Sequence, residues 1–325
     1  MLGDSTTFGY GAQGGGCDLR AKLSVPARIA DSLTVSAGVR AQAFGWMGLS
    51  LPQGDPRLVL GDGWTATDTP KSLGGATIMA TRRGAHLSVA PGGAVDSFTV
   101  HYIANPGNGT LRLEMAGADC ITTAAGEAAA LARVCLRAPR ATSGPLTVTA
   151  ATLGAGVYIV GCEAYDSAAD EIAVIGAGWQ GATSGQVADA REYYSSGNAI
   201  RAVAADLTTI NLGINDWYND VPPADYAAHV LACVAAARGS GDVVLFTPTP
   251  TNPAVVPGQR QVLYVEAVRR LGRDHAIPLI DLYDRFGSWE AANRAGLMND
   301  DAHPNAAGYA DIAAATVGLI FRSWP

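Results

Sequence analysis

The sequence predicts an α/β fold, a parallel sheet covered by helices, interrupted by an inserted β-sandwich. Three observations predict it. Toward both ends the 325-residue chain alternates strands with helices, and in its C-terminal half short apolar runs alternate with helical stretches. The middle breaks instead into β-forming runs separated by Gly, Pro and Asn turns. With 48% hydrophobic and 16% charged residues, the composition is that of a globular protein with a sizeable core.

The chain opens with only Met1 and Leu2 as an apolar stub before Gly-Asp-Ser. From 51 to 158 come LVLGDGWTAT, ATIMATRRGAHLSVAPGG, AVDSFTVHYIANPGNGTLRLEMAG and PLTVTAATLG, which break at the hairpin signals PGG, NPGNG and SGP. A block of about a hundred such residues is large enough to fold as its own β-sandwich. The expected division is therefore a host domain over 1–50 and 159–325, with a guest domain over 51–158. Within the guest, 126–133 (GEAAALAR) is rich in Ala and predicts a helical turn or a long loop. Beyond it, 171–176 (EIAVIG), 207–212 (LTTINL), 243–246 (VVLF) and 278–282 (PLIDL) have the continuous apolar character of buried parallel strands. Helices are expected over 224–238, 258–275 and 305–321.

A formal charge of −7 argues against a nucleic-acid partner, because the only adjacent basic pairs are Arg82-Arg83 and Arg269-Arg270. No apolar run reaches the roughly 20 residues of a membrane span, and no charged-then-apolar leader precedes Gly3. The compartment stays open, extracellular or within a longer protein included. Five cysteines (Cys17, Cys120, Cys135, Cys162, Cys233) without a Cys-x-x-Cys spacing give no zinc signature. Cys120 and Cys135 leave two readings, a disulfide across a hairpin or isolated buried thiols.

The chemistry-bearing residues stand at opposite ends. Ser5 lies in LGDSTTFGYG, where a serine after an apolar strand falls at the carboxyl end of a parallel sheet. Asp300 and His303 lie in NDDAHPNAAGY, a loop entering the last helix. A hydroxyl needs an imidazole to take its proton, and the imidazole needs a carboxylate to fix its tautomer. Among the five histidines only His303 has a carboxylate three positions earlier and a proline directly after it. Asp301 is the local rival, and spacing favours Asp300. LGIND ends a strand with Asn215, whose amide can bind developing negative charge. IGAGWQGATSG supplies a glycine-rich turn whose backbone N–H groups can approach a substrate. Its Gly176-x-Gly178-x-x-Gly181 pattern comes late in the chain with no clear helix directly after it, which argues against a nucleotide loop.

These blocks together resemble the SGNH, or GDSL, hydrolases. LGDSTTFGYG is similar to the first block, GAGWQG to the second, LGIND to the third and DDAHP to the last. The resemblance spans roughly 1–50 and 160–325. It implies a flavodoxin-like three-layer α/β/α fold and serine-dependent hydrolysis of acyl esters, with no metal or organic cofactor. It casts Ser5, Asp300 and His303 as catalytic, and the backbone N–H groups of Ser5 and Gly181 with the Asn215 side chain as the oxyanion hole. The chain departs from the pattern in its short first strand and in Gly176, where many relatives carry Asn.

Members with a β-sandwich between the first two blocks look like carbohydrate O-acetylesterases, which implies an acylated small molecule or glycan as substrate. Asp4, Tyr10, Trp179, Trp217 and Tyr218 are the candidate substrate-binding residues, since aromatic faces suit sugar rings. The rival readings are a lipase, arylesterase or thioesterase with the same triad, and a non-catalytic carbohydrate-binding or tail-fibre module.

Overall fold

The structure, a computed structural model, describes residues 1–12, 23–36, 40–42, 57–67, 71–75, 77–123, 126, 128–258 and 260–320. The chain begins with β1 (Leu2–Gly3), α1 (Ser5–Phe8), α2 (Val25–Ser36) and β2 (Arg40–Gln42). Ten strands follow: β3 (Leu58–Leu60), β4 (Trp64–Thr67), β5 (Thr77–Ala80), β6 (His86–Val89), β7 (Val95–Ala104), β8 (Asn108–Met115), β9 (Ala118–Thr123), β10 (Ala130–Thr142), β11 (Leu146–Gly154) and β12 (Tyr158–Tyr165). Next come β13 (Glu171–Ala173), β14 (Ala177–Gly178), α3 (Ser184–Ala188), α4 (Ser196–Val203), β15 (Leu207–Asn211), α5 (Ile214–Tyr218) and α6 (Pro223–Ala237). The chain then runs through β16 (Asp242–Phe246), α7 (Val262–Asp274), β17 (Leu279–Ile280), α8 (Leu282–Phe286), α9 (Trp289–Arg294) and α10 (Ala306–Ile320).

A parallel sheet of order β14-β1-β15-β16-β17 carries the α/β part. Strand β16 shows how it is covered. Its side chains alternate between faces, and Val243 and Leu245 join one core with Val230, Val234 and Tyr226 of α6 and Val268 of α7. Val244 and Phe246 join another core with Ile29 and Leu33 of α2 and Ile312 of α10. Apolar residues on both faces thus draw a helical layer onto each side, as the continuous apolar runs require. The short β1 lies between β14 and β15, so the residues after Gly3 leave the carboxyl edge near the middle of the sheet.

The middle of the chain forms two five-stranded antiparallel sheets, β10-β7-β12-β5-β4 and β3-β6-β11-β8-β9. Their inward residues share one core, including Phe98 and Val100 of β7, Leu111 and Leu113 of β8, and Leu146 and Val148 of β11. Strand β7 is buried along its whole length. Its Ile103, together with Val160 of β12 and Leu73, belongs to the same core as the α6 face of the parallel sheet.

Several expectations need correction. Residues 171–176 are not a strand of the main sheet: among the described residues 171–173 pair with β2, and Ala177–Gly178 takes the place beside β1. Of 278–282 only Leu279–Ile280 is strand, because Asp281 caps α8 by accepting the Asp284 N–H at 3.0 Å. Residues 130–133 are strand, paired with 101–104 of β7, so partnership overrides the helix propensity of Ala. Antiparallel pairing also continues to Tyr165, past residue 158. Cys120, Cys135, Cys162 and Cys233 are free thiols, and Cys17 lies outside the described residues. Among the described residues no helix is long and apolar enough to cross a membrane.

Candidate active site

Ser5 is the first residue of α1, a single helical turn set directly on the end of β1. The turn forms because Asp4, in extended conformation, accepts the Thr6 N–H at 2.9 Å, and because Gly9 closes it in the left-handed region at φ 89°. Ser5 is 5% exposed. At the other end of the chain, the loop before α10 folds tightly on itself. Asp300 Oδ1 accepts the backbone N–H groups of Ala302 and His303 at 2.9 and 2.7 Å.

The two ends meet. His303 Nε2 lies 2.9 Å from Ser5 Oγ, and His303 Nδ1 lies 2.9 and 3.0 Å from the two oxygens of Asp300. A carboxylate only accepts, so Nδ1 carries the proton, and Nε2 is left to accept from the Ser5 hydroxyl. Burial acts to raise the Asp300 carboxyl, but the hydrogen bonds from His303 and Ala302 outweigh it and hold the group well below the usual carboxylate range. Asp301 is engaged elsewhere: it accepts Asn252 Nδ2 at 2.7 Å.

Supporting residues surround this set, and of these only Tyr10 is singled out by motif reading. Asn299 Nδ2 donates to Asp300 Oδ2 at 3.1 Å, and Trp289 Nε1 donates to the Asp300 carbonyl at 3.1 Å. Tyr10 packs its ring against the imidazole at 4.6 Å between centroids, while Tyr309 Oη donates to the Tyr10 carbonyl at 2.6 Å. Asn299 stands beside Asp300 in sequence and was open to inspection; the Tyr309 contact spans nearly the whole chain and left no local signal.

Gly181 occupies an exposed turn after β14, with φ 74° and open space where a side chain would stand. Asn215 sits in the first turn of α5, whose N-cap Gly213 has φ 128°. Its amide Nδ2 donates to the Ala182 carbonyl at 3.0 Å, so the second and third blocks are tied together. Although α3 begins shortly after Gly181, it is only five residues long.

Two expected substrate contacts are corrected. Trp217 is 2% exposed and packs in the core, since the α5 turn aims it inward, and it offers no face to a sugar. Asp4 is 1% exposed and serves as the cap of α1. Its burial pushes the carboxyl up to about 6, against the lowering hydrogen bond from Thr6 and the charge of His303. Tyr218 is 57% exposed, and Trp179 is half-buried with Lys71 Nζ 5.1 Å from its ring centroid.

The profile of the GDSL-like Lipase/Acylhydrolase family matches residues 152–310. This stretch of the chain is a domain of the GDSL, or SGNH, hydrolase type. It is accordingly a carboxylic ester hydrolase. A solved structure described as a peptidoglycan O-acetylesterase in action overlays with a TM-score of 0.70 at 18% identity, covering 99% of this chain and 90% of that chain. That likeness establishes a shared fold over nearly the whole length of this GDSL hydrolase. Partial overlays include the lipase/acylhydrolase from Enterococcus faecalis (21% identity, 46% of this chain and 76% of that chain, TM-score 0.38). The acetyl xylan esterase AlAXEase overlays similarly (19% identity, 46% and 82%, TM-score 0.39). No curated protein matches the chain by sequence.

Proposed function

We propose that this GDSL hydrolase removes acetyl groups from a glycan through Ser5, His303 and Asp300. The observation that carries the reading is the continuous hydrogen-bonded row from Ser5 Oγ through the imidazole to Asp300, with contacts of 2.9 to 3.0 Å. Ser5 Oγ attacks the acyl carbon while its proton passes to His303 Nε2, and Asp300 stabilises the resulting imidazolium. The backbone N–H groups of Ser5 and Gly181 and one N–H of Asn215 receive the negative charge that develops on the carbonyl oxygen. Nε2–H then protonates the sugar's ester oxygen as its bond to the acyl carbon breaks, so that the sugar leaves with a free hydroxyl. Water, deprotonated by the same nitrogen, attacks the acyl-enzyme; Nε2–H then returns that proton to Ser5 Oγ as the acyl–oxygen bond breaks, which releases acetate and free Ser5.

The two antiparallel sheets are inferred to form a β-sandwich inserted between the first two blocks, from about residue 51 to Tyr165. Their common core supports this. The glycan preference is supported by the overlay on the structure named a peptidoglycan O-acetylesterase. A cavity lined by Lys71, Trp179, Thr183, Gln186, Asp189 and Arg191 also opens at the segment that brackets Gly181, and it offers hydrogen-bonding groups for sugar hydroxyls beside one aromatic face. Tyr10 and the exposed Tyr218 supply further aromatic surface.

The test combines p-nitrophenyl esters of increasing chain length with acetylated glycans, peptidoglycan included. Acetate release from a glycan and rates that decline beyond short acyl chains are expected, and Ser5→Ala should lower turnover by about 10⁴-fold or more. Preference for long acyl chains with no acetate released from any glycan points to a lipase-like enzyme instead. A folded protein that fails to react with a fluorophosphonate at Ser5 points to a non-catalytic module.

A further inference from the structure

Behind the Gly181 turn lies a buried polar cluster that the reaction above does not use. Asp216, the residue after Asn215, is fully buried, and so is Ser184 at the start of α3. The Asp216 carboxylate accepts the Ser184 backbone N–H at 3.1 and 3.0 Å on its two oxygens and the Ser184 hydroxyl at 2.6 Å. That hydroxyl has a single proton, given to the carboxylate, so at the 3.2 Å contact with His229 Nδ1 the imidazole donates and the serine oxygen accepts. Burial drives the Asp216 carboxyl up, while the Ser184 bonds and the His229 charge work against that rise. A charge held in such a place is stable only while its partners stay where they are.

Neighbouring residues on α5 therefore grip the same short segment at two points. Asn215 holds the Ala182 carbonyl at 3.0 Å, and Asp216 holds Ser184 by its N–H and its hydroxyl. The gripped segment follows Gly181 directly and leads into a five-residue helix. A helix this short has little stability of its own, so its place depends on such outside bonds. The Asn215 amide is oriented in the same way: one N–H on Ala182 fixes its plane and leaves the other for substrate.

We propose that Asp216, acting through Ser184, is a positioning residue that pre-sets the oxyanion pocket by locking the Gly181 turn to the Asn215 amide. This rests on the proposed roles of Gly181 and Asn215. A pocket set before substrate arrives stabilises the tetrahedral state more than the ground state, so loosening it lowers kcat and leaves KM nearly unchanged.

The experiment compares Asp216→Asn and Ser184→Ala with the unmodified enzyme on p-nitrophenyl acetate, per folded molecule, and measures binding of a small boronic acid that forms a tetrahedral adduct with Ser5. In Asp216→Asn, kcat should fall by about thirtyfold with KM within about twofold, and boronate affinity should weaken by a matching factor. Ser184→Ala keeps the backbone bond to Asp216, so the same pattern is expected at about fivefold to tenfold. If either variant loses thermal stability while kcat, KM and boronate affinity per folded molecule stay unchanged, the cluster is merely structural and the proposal is overturned. A raised KM with kcat intact overturns it equally. Should Asp216→Asn not fold, Ser184→Ala decides alone. Ser5→Ala is assayed alongside: activity surviving in it removes the active-site reading and this inference together, whereas an inactive Ser5→Ala beside a normal Ser184→Ala removes only the positioning role.

Discussion

Asp4 illustrates how one residue beside the nucleophile links chemistry to stability. It caps α1 and so holds Ser5, yet its second oxygen is buried without a partner among the described residues. Its carboxyl rises from the ordinary 3.8 to about 6 because burial disfavours the charged form. The folded protein therefore holds this proton more tightly than the unfolded chain does. The stabilisation is fully present below about pH 4 and is lost as pH rises through about 6, a change of about 3 kcal/mol. Asp300 acts in the opposite sense and in a lower window, since its depressed carboxyl stabilises the fold above about pH 4 and loses that contribution as pH falls. The urea midpoint of the unmodified protein should drop relative to that of Asp4→Asn as pH is raised from 4 to 7. A difference between the two that does not change with pH would remove this account. At this scale the sequence was legible where partners are close: Asp300 and His303 share one turn, and their spacing states their relation. The burial of Asp4 and Trp217, by contrast, depends on which way a single helical turn faces, and the bond from Ser184 to Asp216 joins residues 32 positions apart.

At the scale of elements, the site depends on close approach between β14, β1 and α1. A Cβ placed on Gly178 would stand 2.3 Å from the Phe8 nitrogen, and one on Gly3 would stand 2.0 Å from Thr7 Oγ1. Both glycines are there because backbone meets α1 with no room for a side chain. Gly178→Ala must push α1 away from the sheet, and with it Ser5 from His303. The expected result is a loss of about 1–3 kcal/mol in stability and a drop in kcat of about tenfold or more. Gly181→Ala is a useful contrast, because it meets no atom within 4 Å and is strained only by its φ of 74°. It should cost about 1–2 kcal/mol. Equal stability of Gly178→Ala and the unmodified protein in thermal melts would refute the packing argument. Helices α6, α7 and α10 fall on the stretches where the sequence predicts them. Strand identity is less legible where it depends on a partner: 171–173 pair with β2 rather than the main sheet, and 130–133 become strand beside β7. Neither choice is written in the local sequence, because the deciding hydrogen bonds come from distant residues.

Across the whole molecule, the antiparallel strands and the parallel sheet are joined by a shared core. Strand β7 presents Phe98 and Val100 to the core between the antiparallel sheets, while Ile103 lies with Leu212, Val187 and Ile200 in the core under α3 and α4. Val160 of β12 does the same, and Ser196 Oγ donates to the Ser72 carbonyl at 3.1 Å, adding a polar tie. Such shared burial makes separate unfolding of either part costly, because each would expose apolar surface to water. Loss of esterase activity and loss of far-UV circular dichroism should therefore coincide in urea, with one midpoint. Ile103→Ala leaves a cavity exactly at the junction, so it should lower that common midpoint by an amount equivalent to about 2–5 kcal/mol without splitting the transition. If activity disappears well before the dichroism signal in the unmodified protein, the two parts unfold independently and the shared core does not couple them. If the split develops only in Ile103→Ala, this one side chain supplies most of the coupling.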